Sequence, residues 1–269
     1  MRVIDRIGDL SRPCAFVPTM GALHAGHQSL IEIAKEFCDE VVVSVFVNPL
    51  QFNNNEDLAN YPATPKRDEE LAEQAGATIL WRPNYNEIYP ENFEKLSAGD
   101  LGKKFEGQSR PGHFDGVVTV VNQLFNLVRP KYAIFGEKDF QQLALIRAMT
   151  AKRHPEIEII AAPTVREGSG LALSSRNVRL NNEGREAAAI ISRVLRAASN
   201  RDSLQDMKTE LAKIDLEYRF KLDYAEIIDE DNFEIATNET VRKRALVAGW
   251  IDGVRLIDNM AMKRALVRT

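Results

Sequence analysis

Residues 41 to 47 read Val-Val-Val-Ser-Val-Phe-Val, a nearly unbroken run of β-branched and apolar side chains. A strand with one wet face alternates apolar and polar residues, whereas a continuous run suits a strand covered on both faces, as in a parallel sheet. Parallel neighbours need crossover connections, so this run commits the chain to alternating strands and helices. The first 165 residues keep that alternation. Cys14 to Pro18 reads as a strand, and Leu30, Ile31, Ile33, Ala34 and Phe37 mark one face of a helix. Residues 65 to 75 read as a helix with Pro65 in its first turn, closed by Gly76 before a strand from Thr78 to Trp81. An apolar helix from about 114 to 128, a strand from Tyr132 to Phe135, a helix from Gln141 and a strand from Ile157 to Ile160 follow. The expected fold class is α/β, a doubly wound (Rossmann-like) parallel sheet whose ligands bind beyond the carboxyl ends of its strands.

Beyond residue 165 the pattern changes. Helices are expected at 182 to 199 and 203 to 213, then short strands near Asp223 to Ile228, Ala245 to Ile251 and Val254 to Ile257. Asp252-Gly253 between the last two is a strong hairpin signal. Two domains are therefore expected: residues 1–165 as the doubly wound domain and 166–269 as a smaller C-terminal α+β domain.

Composition narrows the classes of function. With 269 residues, 44% of them hydrophobic, the chain can bury a substantial core. The net charge is −4, with lysines and arginines interspersed among acids, so no surface for a polyanion is expected and nucleic acid is not an expected partner. No apolar run reaches the roughly 18 residues of a membrane span and the start is charged within six residues, so no membrane partner is expected and the expected location is cytoplasmic. Cys14 and Cys38 are the two cysteines and lack Cys-x-x-Cys spacing, which points to buried small hydrophobes instead of a disulfide framework or a cysteine-bound metal.

Polar and glycine-rich signals fall at the expected strand ends. After the first comes Met20-Gly21-Ala22-Leu23-His24-Ala25-Gly26-His27, a break at glycines that ends in His-x-Gly-His. A strand that stops at such a loop and feeds a helix leaves backbone N–H groups and the positive end of a helix dipole for a phosphate. His24 and His27 also have the spacing of a zinc pair, but no third ligand lies nearby in sequence. Asn48-Pro49-Leu50-Gln51-Phe52 follows the second strand, and Gly136-Glu137-Lys138-Asp139-Phe140-Gln141-Gln142 follows the strand at 132. Lys138 between two acids suits phosphates and ribose hydroxyls. Val165 leads into Gly168, Gly170 and Leu173-Ser174-Ser175-Arg176, which reads either as a linker with a helix cap or as an anion-binding loop.

These motifs, together with Arg110-Pro111-Gly112-His113-Phe114-Asp115-Gly116-Val117, stand in the same order as in the pantoate–β-alanine ligase family, and the chain resembles that family across residues 16 to 180. A lone His-x-Gly-His would indicate only the nucleotidylyltransferase superfamily to which the family belongs. The resemblance implies a two-step ligation: ATP and (R)-pantoate give a bound pantoyl adenylate and pyrophosphate, and β-alanine then gives pantothenate, a coenzyme A precursor, with release of AMP. Mg²⁺ accompanies the ATP. It implies ATP-binding stretches at Met20, Gly21, Ala22, Leu23, His24, Ala25, Gly26 and His27, at Gly136, Glu137, Lys138 and Asp139, and at Val165, Leu173, Ser174, Ser175 and Arg176. Catalytic roles fall on His27 as proton donor, on His24 and on Lys138; Gln51 and Gln142 hold pantoate, with Gln51 also at the β-alanine site. The small domain is implied to be a lid over the nucleotide, with the 166 to 177 loop moving with it, and the assembly a homodimer. The family has Met at the position of Leu173 and Lys at that of Gln123; some relatives carry more acids around Lys66-Arg67-Asp68, and no protein ligand is assigned to Mg²⁺, which phosphates and water suit. Two rivals share part of the pattern: a nucleotidyltransferase acting on a phosphorylated substrate, and a non-catalytic nucleotide-binding regulator.

Overall fold

The computed structural model describes residues 1–8 and 10–264. The chain divides into two compact units, Met1–Val165 and Arg166–Thr269. The first contains β1 (Arg2–Ile4), β2 (Cys14–Thr19), α1 (Ala25–Phe37), β3 (Glu40–Val45), α2 (Asn55–Ala59), α3 (Pro65–Ala75) and β4 (Ile79–Trp81). It continues with α4 (Tyr85–Ile88), α5 (Glu106–Ser109), α6 (His113–Val128), β5 (Tyr132–Gly136), α7 (Phe140–Arg153) and β6 (Glu158–Ala162). Among the described residues the six strands form one sheet in the order β1-β4-β3-β2-β5-β6, and every pairing is parallel.

Alternate residues of the inner strands serve two separate cores. Phe16, Val42, Ile79 and Trp81 point to the side covered by α6 and α7, whereas Ala15, Val17, Val41, Val43 and Leu80 point to the side covered by α1 and α3. That is why the run from 41 is continuous in sequence: both faces of β3 are dry. The strand nevertheless ends at Val45, two residues short of the expected end. Apolarity reports burial and not pairing. Phe46 N–H still donates to the Thr19 carbonyl at 3.0 Å while its ring packs near Tyr89, with centroids 6.1 Å apart, and beyond it Asn48 caps the 3-10 turn Pro49–Gln51. β1 escapes the sequence reading because it is three residues long, half-wet and at the sheet edge, so it has no periodicity to detect.

The helices begin and end where local chemistry allows. Pro65 occupies the first turn of α3, where its missing N–H costs nothing, and Gly76 ends the helix at φ 97°, a left-handed conformation that suits glycine. His154, which caps the end of α7, is an interior histidine: its Nε2 meets Asn122 Oδ1 at 2.9 Å and its ring stands edge-on to Phe125.

The second unit contains α8 (Asn182–Ser199), α9 (Leu204–Ala212), β7 (Lys221–Asp229), β8 (Lys243–Ile251) and β9 (Val254–Ala261). The strands form an antiparallel sheet in the order β7-β8-β9, with its own core built from α8, α9 and one sheet face. Asp252 and Gly253 have φ of 50° and 78°, the pair of left-handed residues that a tight hairpin requires. β9 runs four residues beyond its expected end because Asp258 and Asn259 interrupt the apolar alternation. Both are buried and paired: Asp258 takes Arg166, and Asn259 Oδ1 accepts from Arg244 at 2.6 Å.

Phe125 is 1% exposed and meets Phe16 and Phe135 edge-on, each at 6.4 Å. Phe125→Ala is expected to lower stability by about 3–5 kcal/mol, as for large-to-small changes in a packed core, in urea unfolding at pH 7.

Candidate active site

The chain passes from β2 through β3 to β4 on one side and then crosses back to place β5 on the other side of β2. The carboxyl ends of β2 and β5 therefore flank the point where the winding reverses, which is where an open α/β sheet has its crevice. The loop after β2 is fixed from below. Thr19 Oγ1 donates to the Ser44 carbonyl at 2.7 Å and accepts from Gly21 N at 3.2 Å. Gly21 and Ala22 then turn the chain with φ of 85° and 49°. A Cβ on Gly21 would lie 2.9 Å from Val45 Cγ1 and 3.0 Å from Asp68 Oδ2. The buried carboxylate of Asp68 accepts from Ala22 N at 3.1 Å and from Leu23 N at 2.8 Å.

His24 is the N-cap of α1 and His27 lies one turn on, and the two cap the helix reciprocally. His24 Nδ1 accepts from Gly26 N at 3.1 Å, and His27 Nδ1 accepts from His24 N at 3.3 Å. A ring nitrogen that accepts a backbone N–H carries no proton, so each neutral imidazole holds its proton on Nε2. The rings tilt against each other with centroids 4.1 Å apart. Burial, followed by the Lys138 ammonium, lowers the pKa of His24 to about 4, with Asp139 opposing. Burial, then His24 and Lys138, lowers that of His27 to about 3. At neutral pH both rings are thus uncharged donors. The helix dipole acts in the same direction, since it disfavours a cation at a helix N-terminus.

This arrangement changes how the loop can meet an anion. The N–H groups of Gly21, Ala22, Leu23, His24 and Gly26 already have protein acceptors, and those of Gln28 and His27 turn to the His24 carbonyl. The amides expected to be open to a phosphate are therefore largely engaged in shaping the loop. What the loop presents is imidazole Nε2–H. Lys138 adds the cationic charge from the 3-10 turn Glu137–Asp139 after β5, with Asp139 3.7 Å from its ammonium.

Gln51 lies at the end of the 3-10 turn after β3, and a connected set of groups holds it. Asn48 Nδ2 donates to Gln51 Oε1 at 3.0 Å and to the Gly116 carbonyl at 3.1 Å, while Asn48 Oδ1 accepts from Tyr89 Oη at 2.6 Å. Gly116 on α6 lets the helix lie directly on this turn; a Cβ there would run into the backbone of Leu50 and Gln51. Arg110 Nη1 faces His113 Nε2 at 3.0 Å, and His113 Nδ1 lies 2.8 Å from the Gln51 carbonyl. Guanidinium has no acceptor, so His113 accepts through Nε2 and donates through Nδ1. Of the two glutamines after β5, Gln141 is internal: its amide bonds the carbonyls of Leu101 and Lys104 and the N–H of Glu106. Gln142 is half-buried beside it. Gln123 is half-buried on α6, its Oε1 accepting from Asn126 at 3.3 Å.

Val165 closes the first unit. In the second, the segment from Arg166 is framed by the Arg166–Asp258 ion pair, with contacts of 2.5 and 3.0 Å, and by a bridge between Arg166 and Ala172. Ser174 caps the 3-10 helix Ser175–Arg179 by accepting from Arg176 N at 3.3 Å, and Leu173 to Arg176 are half-buried. The 166 to 177 segment thus has a hydrogen-bonded frame of its own.

Of the residues singled out in sequence, the first unit brings His24, His27 and Lys138 within electrostatic reach of one another. Asp68, Asn48, Tyr89, Arg110 and His113 are groups that sequence reasoning did not assign. Asn48, Arg110 and His113 lie inside quoted motifs, which was a usable signal. Neither the role of Asp68 nor that of Tyr89 is visible locally: Asp68 holds Leu23 across 45 positions, with Thr64 its one nearby donor, and Tyr89 reaches Asn48 across 41.

The family model described as pantoate-beta-alanine ligase matches residues 2–261. A pantothenate synthetase 1 from Bradyrhizobium diazoefficiens is 45% identical, over 97% of this chain and 98% of that protein. A pantothenate synthetase from Thermus thermophilus superposes with a TM-score of 0.90 at 40% identity, covering 97% of this chain and 99% of that one. A pantoate–β-alanine ligase from Francisella tularensis, complexed with beta-gamma ATP and β-alanine, gives a TM-score of 0.82 at 36% identity over 97% of each chain.

The histidine pair generates a pH dependence of stability. Both folded pKa values lie below the ordinary 6.5, so as pH falls below about 6.5 the unfolded chain takes up protons first and stability is lost down to about pH 3. Urea unfolding at pH 7, 6 and 5 is expected to show this decline, and a His24→Asn/His27→Asn variant a shallower one.

Proposed function

The chain belongs to the pantoate–β-alanine ligase family, and on that premise we propose that the imidazole pair, Lys138 and the glutamines Gln51 and Gln142 carry the chemistry. The protein ligates pantoate and β-alanine to pantothenate with consumption of ATP. A carboxylate oxygen of pantoate attacks the α-phosphorus of ATP, the bond from that phosphorus to the bridging oxygen breaks, and pyrophosphate leaves. The amine of β-alanine then attacks the acyl carbon of the adenylate, the bond from that carbon to the AMP oxygen breaks, and the amine loses a proton as the amide forms.

The difficulty of the first step is charge: an anion approaches a phosphorus already surrounded by anionic oxygens. Pre-aimed donors in a partly dry site lower that barrier most. His27 donates its Nε2 proton to the α-phosphate region, His24 holds the nucleotide beside it, and Lys138 neutralises phosphate charge. An anion at the pair would raise both pKa values and favour the charged imidazolium, which attracts phosphate more strongly than the neutral ring. The support for these roles is the engagement of both Nδ1 atoms by backbone N–H, which leaves Nε2–H for the ligand. Gln51 and Gln142 suit pantoate because an amide both donates to a carboxylate and accepts from a hydroxyl.

Met20 to His27, Gly136 to Asp139, Val165, and Leu173 to Arg176 are the nucleotide-binding stretches in this reading. The Francisella tularensis relative, complexed with beta-gamma ATP and β-alanine, supports those two ligands here. ATP enters as its Mg²⁺ complex. Asp68 already accepts from two amides and the Thr64 hydroxyl, and in this reading phosphate oxygens and water hold the Mg²⁺, as suits a small cation that dehydrates reluctantly. The assembly is a homodimer of the cytoplasm; light scattering that returned the mass of a single chain would remove the dimer.

Exchange of pyrophosphate into ATP that depends on pantoate and proceeds without β-alanine is the expected signature. Exchange only with a phosphorylated substrate, or nucleotide binding without exchange, would replace this reading by one of its rivals. His27→Ala is expected to lower the exchange rate about 10²- to 10³-fold with the fold retained, and a near-normal rate would end the assignment of His27.

A further inference from the structure

Asp68 reaches the centre from α3 and is 2% exposed. Its Oδ2 accepts from Ala22 N at 3.1 Å, and its Oδ1 accepts from Leu23 N at 2.8 Å and from Thr64 Oγ1 at 2.9 Å. A carboxylate has about four acceptor sites, and three are occupied here. Two of its donors belong to the residues just before His24. One of them, Ala22, has φ of 49°, a left-handed conformation that a residue with a Cβ adopts only when its surroundings hold it there. The Asp68 carboxylate is the group that does so.

The turn at Gly21 and Ala22 sets the direction of the peptide planes that follow. The His24 N–H then donates to His27 Nδ1 at 3.3 Å, a long bond in which a small rotation would lose alignment. That bond decides which nitrogen of His27 carries the proton. We infer that Asp68 is a positioning residue for the ligation: by holding Ala22 and Leu23 it aims the His24 amide at His27 and keeps the His27 proton on Nε2. The inference rests on the role proposed for His27, and its structural half can be read without turnover.

Long-range proton–nitrogen correlation on the ¹⁵N-histidine-labelled protein at pH 7, without ligands, reports the tautomer of each ring. The wild-type protein is expected to show Nε2–H for both His24 and His27. Asp68→Asn places an NH₂ where an acceptor oxygen faced a backbone N–H, and is expected to give mixed tautomers at His27. It should also lower kcat for pantoate-dependent pyrophosphate exchange by about 10- to 100-fold, with KM for ATP within about threefold. Adding Ala22→Gly, which makes the left-handed turn accessible without help, is expected to recover at least about threefold of that loss. A single Nε2–H tautomer at His27 in Asp68→Asn overturns the inference whatever the rate, and so does a double variant no faster than Asp68→Asn. Should Asp68→Asn fail to fold, Thr64→Val removes one donor from Oδ1 and decides in its place: some Nδ1–H form at His27 supports the inference, and none overturns it. If His27→Ala exchanges pyrophosphate normally, the role of His27 falls, while the tautomer result still judges Asp68.

Discussion

Strand β2 is hydrogen-bonded in parallel on both edges, to β3 on one side and β5 on the other, and the centre depends on that double pairing. Parallel pairing puts the carboxyl ends of all three strands at one sheet edge. The reversal of winding at β2 separates the helices that follow β2 and β5 and leaves a crevice between them. Into that space the chain delivers the histidine loop, the Lys138 turn and, one strand away, the Gln51 turn. An antiparallel neighbour at either edge would send one of these loops to the opposite end of the sheet.

Within the crevice, the candidate groups are tied to main-chain N–H and carbonyl groups. Each Nδ1 of the histidine pair accepts a peptide N–H, and the Gln51 carbonyl is held by His113. Such bonds resist rotation because the peptide cannot move without moving the helix or turn that carries it. The cost is desolvation: two imidazoles buried against each other, with an ammonium nearby, are poor bases, with pKa values of about 4 and about 3. At neutral pH both are uncharged donors, so neither repels Lys138.

The fold was legible to a large extent because burial on both faces leaves a mark that needs no partner to recognise. The run at 41, the apolar helix at 113 to 128 and the Asp252-Gly253 hairpin all declare themselves locally. Legibility failed where polarity was interior. Asp258 and Asn259 hid the second half of β9, and the three residues of β1 were too few to show a period. The motifs containing the candidate groups were visible, but the purpose of their amides was not: the loop amides look available in sequence and are engaged in the structure. Gln141 and Gln142 are adjacent and chemically identical, yet Gln141 bonds the 101 to 106 segment while Gln142 stands half-buried beside it.

By itself the sequence determined the alternation of strands and helices, the break at residue 165 where that alternation stops, and the set of polar residues that follow each strand. These are properties of short stretches, governed by hydrophobic period, turn chemistry and residue type. Tertiary structure decided which nitrogen of His113 carries a proton, which carboxylate holds the histidine loop and which glutamine is occupied. Each of those depends on a hydrogen-bond partner brought near by the sheet order, such as Asp68 beneath Ala22 or Gln51 beneath His113. A protonation state is set by what lies within about 3 Å in space, and distance along the chain does not reveal it.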